Sequence, residues 1–183
     1  DHMRHWCSTG NGALFIDEAF VNVRGQWGQT GMHNGGHHGT PRTQYRFRDG
    51  EFRCGQVNAI LALTDIGPGD GATMVVPGSH KANLIHPAYL DQENRPRSLD
   101  DVEGAVEVHL DAGDAVLFVD CMSHGSARRT NPGERRIVIY RYGPHWAHSR
   151  YGHKPSRDVL QRVTPAQRAI LEPIPPLLPP DAG

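Results

Sequence analysis

The apolar residues of this chain stand in short runs that turn-forming residues separate from one another. The 183 residues include 21 glycines and 14 prolines. Strands are predicted at residues 15–16, 20–23, 57–63, 73–76, 106–110, 115–119 and 137–142. Short apolar runs that glycine and proline interrupt are typical of an all-β sandwich or barrel. We therefore expect an all-β fold with at least six strands.

The end of the chain differs from the rest. Ser156 and Thr164 are predicted N-caps of two short helices, since each can accept a hydrogen bond from the first turn that follows it. Residues 173–180 are rich in proline, which indicates an extended polyproline II conformation. We expect a main domain at residues 1–155 and a helical, proline-rich tail at residues 156–183 that packs on it or trails from it.

The charge and cysteine content narrow the range of partners. Nineteen Lys and Arg residues against 20 Asp and Glu residues leave a net charge of -1. This balance gives no electrostatic reason to bind nucleic acid or an acidic membrane, so we expect a small-molecule partner. Three cysteines without paired spacing argue against a disulfide framework, and no apolar run is long enough to span a bilayer. A soluble, cytoplasmic protein is expected, and its oligomeric state is left open.

Four motifs in the second half of the chain suggest a family. They are Pro77-Gly78-Ser79-His80-Lys81, Gly113-Asp114-Ala115-Val116-Leu117-Phe118, His124-Gly125-Ser126 and Arg135-Arg136. Their order resembles the phytanoyl-CoA dioxygenase family of Fe(II)- and 2-oxoglutarate-dependent oxygenases. The resemblance implies a double-stranded β-helix, which is a jelly-roll of two packed sheets. It also implies Fe(II) and 2-oxoglutarate as cofactors, O2 as cosubstrate, and hydroxylation of a small molecule with release of succinate and CO2.

The resemblance also assigns roles to individual residues. It makes His33 and His124 the two imidazole ligands of iron, and it makes Arg135, eleven residues after His124, the group that binds the distal carboxylate of 2-oxoglutarate. A guanidinium suits that role because it forms two parallel charge-assisted hydrogen bonds with a carboxylate. Ser126 can add a further donor. In a regular strand Arg136 would point to the opposite face from Arg135.

Two polar residues on an earlier predicted strand are weaker candidates. Gln56 and Asn58 share one face of that strand by alternation. If this face looks inward, the two side chains contact the keto-acid. Packing or hydrogen bonding at a sheet edge accounts for them equally well.

The third iron ligand is the difficult point. The family places an aspartate two residues after the first histidine, where this chain has Gly35. A carboxylate from elsewhere in the chain could replace it, with Asp120 as the first candidate and Asp17 and Glu18 behind it. A fully extended chain would separate the Cα atoms of Asp120 and His124 by about 13 Å, so a role for Asp120 requires a bend between them.

Gly35 is also compatible with a site that lacks a third protein ligand. Such a site would hold iron with two histidines and take water or a halide in the vacant position, as iron- and 2-oxoglutarate-dependent halogenases do. Alternatively, the domain has lost iron and binds its partner without oxidising it. The sequence thus supports an oxygenase first and a halogenase or a non-catalytic jelly-roll binding domain as alternatives. A structural domain that assembles through its proline-rich tail is a further possibility.

Overall fold

The computed structural model describes residues 2–7, 14–35, 43–82, 84, 86–89, 99–144 and 155–172. These residues form ten strands and three α-helices. The strands are β1 (Leu14–Arg24), β2 (Thr30–His33), β3 (Arg46–Arg48), β4 (Glu51–Arg53), β5 (Val57–Ala62), β6 (Thr73–Val75), β7 (Val106–Val108), β8 (Ala115–Val119), β9 (His124–Ser126) and β10 (Arg135–Pro144). The helices are α1 (His2–Cys7), α2 (Arg157–Arg162) and α3 (Pro165–Leu171).

Eight of the strands form two antiparallel four-stranded sheets. The first sheet has the order β1-β10-β5-β8, and the second has the order β2-β9-β6-β7. Strands β3 and β4 form a separate hairpin. Neighbours in both sheets are distant in sequence, as the crossing connections of a jelly-roll require. The all-β jelly-roll fold with short C-terminal helices is thereby confirmed.

Apolar side chains from the first sheet build much of the core. Ile60, Phe118 and Ile137 come from three adjacent strands of that sheet, and they pack with Ile66 and Ala72. A second cluster around Met32, Met74 and Leu99 lies on the second sheet. Ile60, Phe118 and Ile137 also line a pocket, and the candidate site lies there.

The predicted strands agree with most of the observed ones. Residues 115–119 form β8 as predicted, and the predictions for β5, β6, β7 and β10 differ from the structure by up to two residues at an end. The runs at 15–16 and 20–23 belong to one strand, β1, because a register shift between Ile16 and Glu18 accommodates an extra residue. Helix α1, which precedes β1, was not predicted.

The C-terminal helices form as their caps predict. The Ser156 hydroxyl accepts a hydrogen bond from the Val159 N–H, and Thr164 forms a reciprocal capping box with Gln167. Ile170 of α3 packs against the core cluster that contains the three buried cysteines. The proline-rich residues 173–180 lie outside the described residues. No helix in the described ranges is long and apolar enough to cross a membrane.

Candidate active site

Two histidines lie side by side on adjacent strands of the second sheet. His33 ends β2 and His124 begins β9, and the two residues are register partners in this antiparallel pair. Their ring centroids are 4.2 Å apart, with the planes tilted by 57°. A register shift in β2 between Thr30 and His33 places both of these residues on the side of the strand that lines the pocket. His124 lines the same pocket, so the structure brings together the two histidines that the sequence analysis singled out.

Both imidazoles are oriented by backbone carbonyl groups. His33 Nδ1 lies 3.0 Å from the Gly31 oxygen, and His124 Nδ1 lies 2.7 Å from the Met122 oxygen. A carbonyl can only accept, so each Nδ1 carries a proton, and in the neutral imidazole Nε2 then keeps its lone pair. Ligating histidines are commonly held in this way, with one ring nitrogen on a carbonyl and the second on the metal.

The protonation state of His124 also suits a ligand. Burial, followed by the neighbouring His33, lowers the pKa of His124 to about 4. Asp120 acts in the opposite direction, because its carboxylate favours the charged imidazole. His124 is therefore neutral at physiological pH, which is the form that binds metal ions.

The carboxylate of Asp120 fills the space beside Gly35. A Cβ atom added to Gly35 would overlap Asp120 Oδ2, and it would lie 2.7 Å from Thr43 Cβ. The Gly35 N–H donates to the Asp120 carbonyl oxygen at 2.9 Å, which joins the two segments directly. The required bend is present, since the Met122 N–H bonds the Val119 oxygen at 2.9 Å and turns the chain after β8. Asp120 thus stands where a side chain at position 35 would project.

A chain of buried amides holds this carboxylate. Asn58 Nδ2 donates to Asp120 Oδ1 at 3.1 Å, and Gln56 Nε2 donates to Asn58 Oδ1 at 3.4 Å. All three side chains are at most 3% exposed. Asn58 also lines the pocket, whereas Gln56 contacts it through Asn58. Gln56 and Asn58 therefore orient Asp120 from behind.

Asp17 and Glu18, the two remaining candidate carboxylates, are placed differently. Glu18 forms an ion pair with Arg141, and Asp17 is buried in the irregular part of β1. Within the described ranges, no three His, Cys, Asp or Glu side chains already form a group that could hold a metal ion. The structure accordingly shows a histidine pair with Asp120 beside it, engaged with Asn58.

One end of the pocket is cationic, and Ser126, two residues after His124 in β9, lies at this end with Arg135. The pocket encloses about 240 Å³ between the sheets, and Ser126 and Arg135 line it together with Ile137 and Ile139. Arg135 is 2% exposed and donates to the Gly71 carbonyl oxygen and, at 2.8 Å, to Asn22 Oδ1. Its Nε is buried and has no partner among the described residues.

The alternation of β10 separates its two adjacent arginines, Arg135 and Arg136. Arg135 faces the pocket, whereas Arg136 is exposed and pairs with Glu134 at 2.8 Å. Burial, followed by the charges of Arg24 and Arg129, lowers the pKa of Arg135 to about 10. Arg135 thus stays charged at neutral pH, and its Nε keeps a donor without a partner among the described residues.

Two arginines at the pocket were missed by the sequence reasoning. Arg24, at the end of β1, donates to the hydroxyls of Ser126 and Thr30. Arg141 lines the pocket from the other end of β10, where it forms an ion pair with Glu18. Its Cζ atom lies over the Phe20 ring, 5.4 Å from the ring centroid. Arg141 shares the pocket-facing side of β10 with Arg135 by alternation, which was the available signal for it, whereas the exposed valines of β1 hid Arg24.

Gly125 allows the two histidine-bearing strands to approach each other. A Cβ atom at this position would overlap the Leu99 side chain and lie 2.6 Å from the Thr30 oxygen and 2.9 Å from the Gly31 oxygen. The two oxygens belong to the backbone and cannot move aside without shifting β2. A larger residue at position 125 therefore changes the spacing of the histidines.

We expect Gly125→Ala to lower the free energy of unfolding by about 1–3 kcal/mol, the usual effect of overpacking. Urea denaturation measures this change. Gly31→Ala is the matched control, because a Cβ atom on Gly31 meets nothing within 4 Å. Equal stabilities of the two variants would contradict the close approach of β2 and β9.

Comparisons with known proteins agree with this architecture. Dioxygenase cdmD of Talaromyces verruculosus is 30% identical over 134 residues, which cover 69% of this chain and 38% of that protein. A probable phytanoyl-CoA dioxygenase of Caenorhabditis elegans is 28% identical over 105 residues, covering 54% of this chain and 33% of that protein. The chain therefore spans about a third of the length of these relatives.

Among solved structures, HygX of Streptomyces hygroscopicus with nickel and 2-oxoglutarate bound has a TM-score of 0.67 and 25% identity. The alignment covers 78% of this chain and 60% of HygX. The sequence profile of the phytanoyl-CoA dioxygenase (PhyH) family matches residues 10–137. This match includes most of the jelly-roll strands, both histidines and Arg135, and the chain belongs to the phytanoyl-CoA dioxygenase family.

Proposed function

We propose that this chain is the oxygenase domain of an Fe(II)- and 2-oxoglutarate-dependent dioxygenase that hydroxylates a small molecule and releases succinate and CO2. The observation that carries the proposal is the His33–His124 pair, in which each Nδ1 is bound to a carbonyl group and each Nε2 is left for a metal ion. Membership of the family and the bound nickel and 2-oxoglutarate of HygX support it.

The ligand set fits a mononuclear iron site in its chemistry. His33 and His124 would supply two imidazole nitrogens, and Asp120 would supply the carboxylate of a two-histidine, one-carboxylate set. Bound iron supplies the O2 and decarboxylation chemistry, which the protein side chains lack. Asp120 would take up this role by turning from Asn58 toward the histidines.

The cationic end of the pocket fits the distal carboxylate of 2-oxoglutarate. Arg135 offers a buried Nε donor with no partner among the described residues, and the Ser126 hydroxyl already accepts from the Thr30 N–H and from Arg24. The Ser126 proton is therefore free to donate into the pocket. Ile137 and Ile139 add apolar lining to the pocket, and charge-assisted hydrogen bonds are stronger in such surroundings than in water.

The environment of Gly35 bears on the halogenase alternative. A halide site requires open space where the third ligand is missing, and here the Asp120 carboxylate lies in that space. The observation therefore favours an oxygenase. The non-catalytic alternative is supported by one finding, namely that no three-ligand group is formed within the part of the chain described.

Partners and location follow from the same features. The pocket size and the near-neutral charge support a small-molecule substrate. All three cysteines are free and buried, which supports a cytoplasmic protein.

An anaerobic titration with Fe(II) and 2-oxoglutarate tests the proposal. A visible charge-transfer band develops when a keto-acid chelates Fe(II), so its appearance requires both ligands in one site. We expect the band with the wild-type protein when both are added, and no band with either alone. Its absence from correctly folded protein would overturn the oxygenase and favour the binding domain.

Arg135→Gln separates the keto-acid site from the metal site. We expect the affinity for 2-oxoglutarate to fall by about 10- to 100-fold, because hydrogen bonds to charged groups contribute about 1.5–3 kcal/mol. The affinity for Fe(II) alone should not change. Arg136→Gln, on the exposed face of the same strand, is the control and should retain both affinities.

A further inference from the structure

Two arginines stand directly opposite each other at the cationic end of the pocket. Arg24 of β1 and Arg135 of β10 are register partners, and both line the cavity. Opposed residues in an antiparallel pair have Cβ atoms about 5 Å apart. Like charges in this arrangement repel each other and destabilise the sheet.

In the part of the chain that the structure describes, both guanidinium groups donate their hydrogen bonds to neutral acceptors. Arg135 donates to a carbonyl and an amide oxygen, and Arg24 donates to two hydroxyl groups. Among those residues no carboxylate forms an ion pair with either arginine. Arg129 shows the contrast, because it is also buried and pairs with Asp70 at 2.9 Å. The chain thus pairs a buried guanidinium with a carboxylate elsewhere, but not at this end of the pocket.

An uncompensated pair of desolvated charges is costly to the folded state. Burial lowers the pKa of both arginines, and Arg24 is itself one of the causes for Arg135. An anion between them removes this cost and gains two charge-assisted contacts. The geometry is therefore that of a site that an anion stabilises.

We propose that Arg24 is a second binding residue for the distal carboxylate of the cosubstrate, so that Arg24 and Arg135 hold this group between them. The inference rests on the proposed 2-oxoglutarate-dependent function. It assigns Arg24 two contributions. Its charge attracts the carboxylate, and its bond to Ser126 turns the serine proton toward the same group.

The inference predicts effects of opposite sign on stability and on binding. Arg24→Gln removes the repulsion, so the ligand-free protein should unfold at the same or a higher temperature than the wild type. The same change should lower the affinity for 2-oxoglutarate by about 10- to 100-fold. A merely structural arginine would behave differently, since its loss would lower the unfolding temperature and leave the affinity unchanged.

Calorimetric titration of 2-oxoglutarate into the nickel-loaded protein tests the inference, because Ni(II) holds the keto-acid without consuming it. The affinity for Ni(II) alone is measured in parallel and should be unchanged in Arg24→Gln. Arg24→Lys keeps the positive charge but not the planar guanidinium. Its affinity for 2-oxoglutarate should therefore lie between those of the wild type and Arg24→Gln. Arg136→Gln is the control and should match the wild type.

The outcomes separate this inference from the proposed function. If the wild type binds Ni(II) and 2-oxoglutarate and Arg24→Gln binds both equally well, Arg24 has no binding role and only this inference is overturned. An equal loss of nickel and 2-oxoglutarate affinity in Arg24→Gln also overturns it, because the defect is then structural. If the wild type binds no 2-oxoglutarate, the proposed function and the inference are both overturned.

Discussion

His124→Ala is expected to lower the affinity for Fe(II) by more than about 100-fold, since the loss of even an outer partner of a ligand costs about 10- to 100-fold. The imidazole is 6% exposed and neutral, and its Nδ1 is fixed by the Met122 carbonyl group. It therefore needs no deprotonation before it binds a metal ion. Anaerobic Fe(II) titration measures the loss, and the charge-transfer band with 2-oxoglutarate should disappear with it.

Folding must be checked separately for this variant. The ring of His124 packs against Phe118 with centroids 4.7 Å apart, so its removal leaves a cavity as well as an empty ligand position. Circular dichroism and the unfolding temperature show whether the fold survives. His109→Ala is the control, because His109 is exposed and pairs with Glu107 on the surface. Unchanged Fe(II) affinity in folded His124→Ala would contradict the proposed site.

Asp120→Asn is expected to lower the affinity for Fe(II) by about 100-fold or more while the fold is retained. The amide has the shape of the carboxylate and can still accept the bond from Asn58. What it lacks is the negative charge that the carboxylate of a two-histidine, one-carboxylate Fe(II) site supplies. The measurement is the same Fe(II) titration, with urea denaturation to confirm that the stability is close to that of the wild type.

Asp114→Asn is the control for Asp120→Asn, because Asp114 lies in an exposed turn before β8. It should bind Fe(II) as the wild type does. A full Fe(II) affinity in Asp120→Asn would contradict the role of Asp120. It would leave a two-histidine site, and the halogenase alternative would then be favoured again.

The fold was largely predictable because its signal is local. Strand β8 was predicted to the residue, since its apolar run is bounded by turn residues on both sides. Strand β9 was missed, because His124-Gly125-Ser126 contains no apolar side chain, and β-structure there is imposed by pairing with β2 and β6. The short strand β2 was missed because it too is defined by its pairing with β9.

The site was predictable only in part. His33, His124 and Arg135 were identified through the resemblance to the family, and the structure brings all three to one pocket. Arg24 was missed because β1 reverses the usual alternation. Its valines, Val21 among them, are exposed, and the polar residues between them face inward. Sequence reasoning assigns such valines to the core, so the inward side chains escape notice.

The relation of Asp120 to Gly35 required tertiary information. The two residues are 85 positions apart in the chain, and their contact depends on a turn after β8 and on a hydrogen bond between their backbones. The sequence shows that a carboxylate is missing at position 35, and it supplies several candidates to replace it. Only the packed structure distinguishes Asp120 from Asp17 and Glu18.

The most direct measurement is a crystal structure of the protein with Fe(II) and 2-oxoglutarate, grown and frozen without oxygen. The account predicts a metal ion bound by His33 Nε2, His124 Nε2 and a carboxylate oxygen of Asp120, with the distal carboxylate of 2-oxoglutarate on Arg135. A metal ion with water or chloride in the third protein position, and Asp120 still hydrogen-bonded to Asn58, would contradict it.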